Sequence, residues 1–312
     1  MIKRSLFTNV RILSMRARSA QSTRTSRQGS TTSPGCWRPR WVLELADGTD
    51  GVPQGLYEQA KPLYERSLEI RKKALGEDHP AVATALNNLA ELLRAQGDYA
   101  GAKPLYERAI EIGEKTLGPN HPNLAIRLNN LAGLLEAQGL YTQAKPLYER
   151  AIEIDEKALG PDHPDLATAL NNLAELLRAQ GKYEDAMPLR KRCIEIGEKA
   201  LGPEHPDLAV WLNNLAELLR AQGDYAGAKP HYERAIKIWE AALGKDHPNV
   251  ASGLNNLAGL LESQGDYAGA KPLFERAIAI GEKALGKDHP TIAIRLNNLA
   301  LLLSAQGDYA GA

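Results

Sequence analysis

The sequence lacks the features of a disulfide framework, a zinc site or a membrane span. Its 312 residues include two cysteines, Cys36 and Cys193, and no Cys/His spacing of the kind that binds zinc. No apolar run approaches the ~20 residues that a transmembrane helix needs. We therefore expect a soluble, cytoplasmic protein without membrane contacts, in which Cys193 is a small buried thiol.

The chain also lacks net charge, with 38 basic and 38 acidic side chains, but the two signs are unevenly distributed. Residues 1–43 contain nine Lys/Arg and no Asp/Glu, so the remainder carries an acidic excess. A surface that binds nucleic acid requires clustered basic side chains. The sequence after residue 43 therefore predicts no nucleic-acid partner.

What the sequence has in abundance is repetition. Three short motifs recur every 42 residues without insertions, which predicts stacked units that each bury a face against their neighbours. Gly-x-Tyr begins at Gly55, Gly97, Gly139, Gly181, Gly223, Gly265 and Gly307. Leu-Asn-Asn-Leu-Ala begins at Leu86, Leu128, Leu170, Leu212, Leu254 and Leu296. His-Pro begins at His79, His121, His163, His205, His247 and His289.

The motifs of common catalytic sites are missing. There is no Gly-x-Ser-x-Gly, no phosphate loop and no Cys/His nucleophile pair. The six repeated histidines belong to different units, too far apart to share one ion at N–metal distances of ~2 Å. We therefore predict no enzyme activity, no cofactor and no metal site, and we interpret these histidines as turn and cap residues.

Each unit has the apolar spacing of two helices. After His79, apolar residues three and four apart predict a first helix, which Pro80 begins and Gly97 ends. Asp98 then caps a second helix that runs to Gly118, with an internal proline that removes one backbone hydrogen bond. Because isolated helices of this length are marginal in water, we expect stacking to stabilise them.

We predict an all-α fold in which residues 51–312 form a solenoid and residues 1–50 a disordered, basic, Arg/Ser-rich tail. For the tail, a targeting segment and a wrongly assigned start site are alternatives. The exposed apolar stripe of the last helix predicts a fragment of a longer protein, self-association through this end or a frayed helix. Helix pairs are expected at about 80–117, 122–159, 164–201, 206–243 and 248–285, flanked by lone helices at 57–75 and 290–306.

Nine columns of the unit carry a resemblance to a known family. They are Leu86, Leu89, Ala90, Leu93, Gly97, Tyr99, Ala102, Tyr106 and Ala109. Residues 56–312 thereby resemble tetratricopeptide repeat (TPR) proteins, and the 42-residue period, in place of the usual 34, resembles the kinesin light chain-like subclass. The resemblance implies a right-handed superhelix of antiparallel helix pairs, whose first helices line a concave groove that holds extended peptides. One departure is Arg190, where the other units have Tyr or Phe.

The function that we expect is a protein–protein interaction scaffold that binds peptide segments of partner proteins in this groove. A kinesin light chain-like cargo adaptor is an alternative, although such proteins carry a heptad coiled coil before the repeats and residues 1–55 show no heptads. A sensor or repeat part of a larger signalling protein is a further alternative.

The second asparagine of each Asn-Asn pair is the best candidate for contact with a ligand. An amide has both donors and an acceptor, so a ladder of amides can bind a peptide backbone of any sequence. The resemblance implies that the second asparagine faces the groove; the alternative is that one asparagine of each pair bonds to the backbone of a neighbouring repeat. The candidates are Asn88, Asn130, Asn172, Asn214, Asn256 and Asn298.

Charged and large side chains nearby are candidates for selecting the ligand. Arg94, Arg178 and Arg220 each follow a glutamate by three residues, and a groove location would favour acidic peptide segments near Arg178 and Arg220. The alternative is a solvated face of ion pairs worth ~0.2–0.5 kcal/mol each. Arg127 and Trp211, which stand in a column of mostly small residues, are expected at the groove edge.

Overall fold

The computed structural model describes residues 54–307, and in this range it contains twelve α-helices and no strand, which confirms the all-α fold class. The predicted tail, residues 1–50, lies outside the described residues. The first helices of the units are α2 (Pro80–Ala95), α4 (Pro122–Ala137), α6 (Pro164–Ala179), α8 (Pro206–Ala221), α10 (Pro248–Ser263) and α12 (Pro290–Ala305). The second helices are α1 (Gln54–Leu75), α3 (Tyr99–Leu117), α5 (Tyr141–Leu159), α7 (Tyr183–Ala200), α9 (Tyr225–Leu243) and α11 (Tyr267–Leu285).

A histidine caps every first helix. The Nδ1 atom of His79 accepts a hydrogen bond from the backbone N–H of Ala81 at 3.1 Å, and the same bond recurs at 3.1–3.2 Å in the five later first helices. Proline follows each histidine at a position where its missing N–H costs no hydrogen bond. Beyond each first helix, a glycine such as Gly97 (φ 78°) has the left-handed conformation that ends the helix.

The second helices begin immediately after this turn. The side chain of Asp98 accepts a hydrogen bond from the backbone N–H of Gly101 at 2.9 Å, and Asp224 and Asp266 cap α9 and α11 in the same way. Each second helix contains the internal proline expected from the sequence. The short turn brings the two helices of a unit against each other as an antiparallel hairpin.

Small and large apolar side chains alternate in the core of each hairpin. In the first complete unit Ala90, Ala102 and Ala109 are fully buried and let the helices approach, while Leu92 and Tyr106 fill the remaining space. The core continues from one hairpin to the next, because each second helix also packs against the following first helix. Buried contacts thus extend along the stack without a break at the unit boundaries.

Two columns of side chains at the boundary between repeats are matched in size. The columns lie 14 residues apart in the sequence, one on a second helix and one on the first helix that follows. Where one column has a glycine, the other has a large side chain. A Cβ added to the glycine would lie 2.2–3.0 Å from the nearest atom of that large side chain. The described pairs are Gly113 with Arg127, Gly197 with Trp211, Trp239 with Gly253, and Gly281 with Arg295. We call these the size-matched columns.

The same columns hold an acid in the second repeat. Asp155, on α5, is 5% exposed, and Ala169 occupies the corresponding position on α6. Burial raises the pKa of Asp155 to about 7, and the nearby negative charge of Asp165 contributes to the increase. Ionisation of this carboxyl therefore opposes folding.

Cys193 is buried in α7, as expected. Its Sγ atom donates a hydrogen bond to the carbonyl oxygen of Ala167 at 3.2 Å. Burial raises the pKa of the thiol to about 12, so it stays protonated at neutral pH. A protonated thiol without exposed surface is a packing group rather than a nucleophile.

The first helices lie on the inner side of the stack. Most consecutive first helices approach each other directly, whereas the second helices of adjacent repeats are joined by long side chains. Arg150, Arg192, Arg234 and Arg276 each form an ion pair of 2.5–2.7 Å with a glutamate of the preceding second helix. Since the inner side of a curved stack has the shorter spacing, the first helices line a concave surface and the second helices a convex one.

Replacement of Gly197 by alanine tests the size-matched columns. The new Cβ would lie 2.5 Å from the ring of Trp211, and overpacking of this kind costs ~1–3 kcal/mol in the free energy of unfolding. Gly259→Ala is the matched control: its Cβ would meet only Arg220, at 3.9 Å, and the change should add ~0.5–1 kcal/mol through helix propensity. Urea denaturation followed by circular dichroism measures both; equal effects would contradict the size matching.

Replacement of Asp155 by asparagine tests the cost of its charge. In the wild type, the folded carboxyl keeps its proton up to about pH 7, while the unfolded carboxyl loses it near its ordinary pKa of 3.8. The unfolded state therefore binds fewer protons between these values, and stability falls as the pH rises from about 4 to 7. Asp155→Asn should remove this decline and raise stability at pH 8 by roughly 2–4 kcal/mol. Identical pH profiles of the melting temperature for the two proteins would disprove the assignment.

Candidate functional site

One face of each first helix is left free by the packing. In α2 this face contains Thr84, Asn88, Glu91 and Ala95, which are spaced by three or four residues and half-buried, while Arg94 borders it. The remaining faces of α2 are buried against neighbouring helices. The free faces of successive first helices form one continuous surface on the concave side, which we call the groove.

A ladder of asparagine hydrogen bonds runs along the groove. In every pair after the first, the second asparagine donates from Nδ2 to the Oδ1 of the first asparagine in the preceding repeat, at 3.1–3.2 Å. The bonds are Asn130 to Asn87, Asn172 to Asn129, Asn214 to Asn171, Asn256 to Asn213, and Asn298 to Asn255. The partner of an asparagine is therefore a neighbouring side chain rather than the neighbouring backbone considered from the sequence.

The ladder fixes how the candidate amides are oriented. The side chains of the second asparagines, Asn88 included, are half-buried, whereas Asn87 and Asn213 are buried. Among the described residues, the Oδ1 atoms of Asn130 and Asn214 accept no hydrogen bond, so one side of each amide is occupied and the other has capacity left. Asn130 and Asn214 thus join adjacent repeats and also offer polar atoms to the groove.

Side chains from the second helices support the groove from beneath. The hydroxyl of Tyr106 donates to Glu91 at 2.6 Å, and the hydroxyl of Tyr148 donates to Glu136 at 2.8 Å. Burial raises the pKa of both phenols, and the adjacent carboxylates raise it further. These phenols therefore remain hydrogen-bond donors that hold the carboxylates of the groove in place.

In the third repeat, Arg190 takes the place of this tyrosine. It is fully buried, and its Nη2 donates to Glu175 at 2.6 Å while Nη1 donates to Asn171. Burial lowers the pKa of Arg190, and the charge of Glu175 opposes that change. Although burial acts to raise the pKa of Glu175, the hydrogen bond from Arg178 and the charge of Arg190 lower it overall. The pair is thus ionised at neutral pH.

The predicted groove arginines differ in how far their charge is already used. Arg94 pairs with Glu91 at 3.1 Å, and Arg178 donates from Nε to both oxygens of Glu175 at 3.0 Å. Arg220 is exposed and forms no ion pair with any described residue. Of the three, Arg220 therefore has the most uncommitted positive charge.

Arg127 and Trp211 do not lie at the groove edge, so the location predicted from the sequence is wrong. Their exposed fractions are 4% and 5%, because both pack over a glycine of the preceding repeat in the size-matched columns. The Nη1 of Arg127 donates to the carbonyl oxygen of Ala109 at 3.1 Å. Both side chains stabilise the stack and present no surface to a ligand.

Sequence reasoning missed the contribution of the second helices to the groove. Tyr106 was recognised only as a repeat column, and Arg190 only as a departure from it. The sequence carries no consistent signal for this contact: Gly133 and Gly259 both replace the groove glutamate, but Tyr148 keeps the hydroxyl and Phe274 lacks it.

Within residues 54–307, no three His, Cys, Asp or Glu side chains come together in a way that could hold a metal ion. None of the helices in that range is both long enough and apolar enough to cross a bilayer.

Comparisons with known proteins agree with this architecture. Among solved structures, the chain is similar to BtubC (BKLC) from P. vanneervenii, with a TM-score of 0.64, 25% identity, and coverage of 75% of this chain and 94% of that one. It is also similar to a kinesin light chain candidate from Podosopora anserina with nearly identical TPR-like repeats, with a TM-score of 0.57, 28% identity, and coverage of 66% and 97%. A search of curated proteins gives no match.

A family model described as tetratricopeptide repeat matches six overlapping windows of the chain. They are residues 53–115, 82–157, 125–199, 165–241, 207–283 and 249–312. The windows follow the helix hairpins described above and together span well over half of the sequence. The right-handed solenoid and the kinesin light chain-like character implied by the sequence are thus shown. The chain belongs to the tetratricopeptide repeat family, whose repeats in general form scaffolds for protein–protein interaction.

Proposed function

We propose that the groove binds extended peptide segments of partner proteins, with the second asparagine of each repeat as the shared contact. The observation that carries this proposal is the ladder, which holds the amides of Asn130, Asn172, Asn214, Asn256 and Asn298 in one orientation by a bond to the preceding repeat. A side chain that is already ordered loses little conformational entropy when a ligand binds.

The period of the ladder suits an extended chain. Helices in direct contact have axes ~8–10 Å apart, and an extended peptide advances ~3.3 Å per residue. About three peptide residues therefore span one repeat, so about one peptide residue in three can meet a second asparagine, whose amide has both donors and an acceptor. Amides recognise the backbone, so this contact is independent of the peptide's sequence.

A cargo adaptor is a second candidate, favoured by the likeness to a kinesin light chain candidate with nearly identical TPR-like repeats. This role uses the same groove with a cargo protein as the partner. The adaptor role differs from that of a general scaffold only in that the bound protein is a cargo to be carried. The peptide-binding experiment below therefore applies to both roles.

Two double variants separate binding from stacking. Asn130→Ala with Asn172→Ala removes the donors of two ladder bonds, and Asn87→Ala with Asn129→Ala removes the acceptors of the same two bonds. The first variant should weaken peptide binding about tenfold or more, because each lost hydrogen bond is worth ~0.5–1.5 kcal/mol. The acceptor variant should bind only about threefold more weakly than the wild type, since its groove amides remain but are no longer held in place by the preceding repeat.

The measurement uses a peptide selected on the wild-type protein from a library of random twelve-residue peptides. Its affinity for each protein follows from fluorescence anisotropy of a fluorescein-labelled copy, and thermal melting confirms that both variants remain folded. If the two variants bind the peptide equally well, the amides act only in the stack. If no peptide binds the wild-type array at all, the groove is not a peptide site.

A further inference from the structure

The apolar core between repeats is continuous at one end of the hairpins and interrupted at the other. At the end that contains the short turn within each repeat, buried apolar side chains run without a break from the first repeat into the fourth. At the opposite end, Leu124, Leu128 and Ile154 belong to a small cluster that is confined to the second repeat. A separate cluster begins at Leu166 in the third repeat and continues into the fifth. Within residues 54–307, the second repeat therefore shares no buried apolar cluster with a neighbour at this end.

The size-matched columns account for these interruptions. At the boundaries that contain Trp211 or Trp239, the apolar cluster continues from one repeat to the next. At the boundaries that contain Arg127 or Asp155, the clusters on the two sides are separate. A buried indole ring extends the apolar core across a boundary, whereas a guanidinium or a carboxyl group does not.

Asp155 differs from Arg127 in its lack of a polar partner. Arg127 donates a hydrogen bond to the carbonyl oxygen of Ala109. The carboxyl of Asp155 is buried without a hydrogen bond or an ion pair to any residue in the described range. Ala169, which occupies the other size-matched column at this boundary, has only a methyl group to offer. Burial of a carboxylate without a partner is strongly unfavourable, so this boundary accommodates the neutral acid.

The charged groups around Asp155 supply no cation to it. Asp165, four residues before Ala169 and so on the same face of α6, is itself acidic, and its Oδ2 lies 3.8 Å from Nδ1 of His163. The other charged side chains of α5 all form ion pairs with residues other than Asp155; they are Lys145, Glu149, Arg150, Glu153, Glu156 and Lys157. The remaining charged side chains of α4 and α6, which pack against α5, have partners of their own; they are Arg127, Glu136, Glu175 and Arg178.

We propose that Asp155 makes the boundary between the second and third repeats a pH-dependent joint: the neutral acid couples the two repeats, and the ionised acid lets the first two repeats open independently of the rest. Ionisation draws water to the carboxylate, which leaves the apolar core at the turn end to connect the repeats. The Asn172–Asn129 hydrogen bond and the Arg192–Glu156 ion pair also cross this boundary, but equivalent bonds cross other boundaries. Because cooperativity in a repeat array depends on coupling between nearest neighbours, one weakened boundary divides the array into two units.

The direction of the pH effect follows from where the proton is bound. The closed boundary holds the proton of Asp155 up to about pH 7, whereas the hydrated carboxyl of an opened boundary releases it near its ordinary pKa of 3.8. The open form therefore binds fewer protons between these values, and each increase of one pH unit favours opening about tenfold until the effect levels off above pH 7. The third to fifth repeats, which are joined through Trp211 and Trp239, should stay closed as one unit.

Hydrogen–deuterium exchange of the full chain, followed by mass spectrometry of its peptic peptides, tests the joint. Labelling times are scaled so that an unprotected amide exchanges equally at each pH, and the protection of α4 and α5 is divided by that of α8 and α9. Between pH 5 and pH 7 this ratio should fall about tenfold or more in the wild type and stay constant in Asp155→Asn. Glu156→Gln, at the next position and on the exposed side of α5, is the matched control and should behave like the wild type.

A double variant rebuilds the boundary instead of neutralising it. Asp155→Gly with Ala169→Trp copies the pair of Gly197 and Trp211 at the next boundary. It should remove the pH dependence and raise the protection of α4 and α5 at pH 7 about tenfold or more, because the apolar core would then be continuous. A pH-independent ratio in the wild type, or an equal decline of the ratio in Asp155→Asn, would overturn the joint. A loss of protection shared equally by all the repeats would also overturn it, since Asp155 would then weaken the whole fold.

Discussion

The fold depends on contact between one hairpin and the next. A pair of short helices has apolar side chains on both flanks, and only the neighbouring repeat can cover them. The second helix of one unit therefore packs as part of the core of the following unit, and the buried residues form clusters that ignore the repeat boundaries. Local features, the histidine caps and the left-handed glycines, set where each helix begins and ends, but they do not hold the units together.

The same constraint produces the groove. Packing covers every face of a first helix except the one that points to the inner side of the stack, so polar residues collect there. The asparagine ladder joins the two roles, because amides such as Asn130 and Asn214 bond to the preceding repeat through Nδ2 and have an Oδ1 that can still accept a hydrogen bond. A ligand that bound several of these amides would also bridge several repeats, and binding would raise the stability of the array.

The sequence predicts much of this structure, because its motifs act locally. The helix bounds follow from His-Pro and Gly at fixed positions, with Asp98, Asp224 and Asp266 as further caps, and the caps predicted at His79 and Asp98 are confirmed. The placement of Arg127 and Trp211 was wrong, since a large residue in a column of small ones was interpreted as an exposed residue. Each of these large residues packs against a glycine 14 residues earlier in the chain. That pairing becomes evident only when two different columns are compared across adjacent repeats.

The side chains that support the groove from beneath were harder to predict, because they depend on contacts between the two helices of a hairpin. Tyr106 meets a glutamate 15 residues earlier, while Tyr148 meets one 12 residues earlier, so no single spacing describes the contact. Where the glutamate is replaced by Gly133, the hydroxyl turns to Glu136 instead. Substitutions at two or three columns thus give the repeats different hydrogen bonds beneath a common asparagine ladder.

The size-matched columns also bear on how such a gene can change. Recombination between near-identical units can delete one whole unit from the gene. In the shortened protein, however, the new junction brings together two helices that are not in contact in the present structure. Loss of the 42 residues before Arg295 would set that side chain against Trp239, two large groups in a space made for one. Loss of the 42 residues before Ala169 would set it against Gly113 and leave a void. The order of the units therefore affects how well they pack, although their sequences are nearly identical.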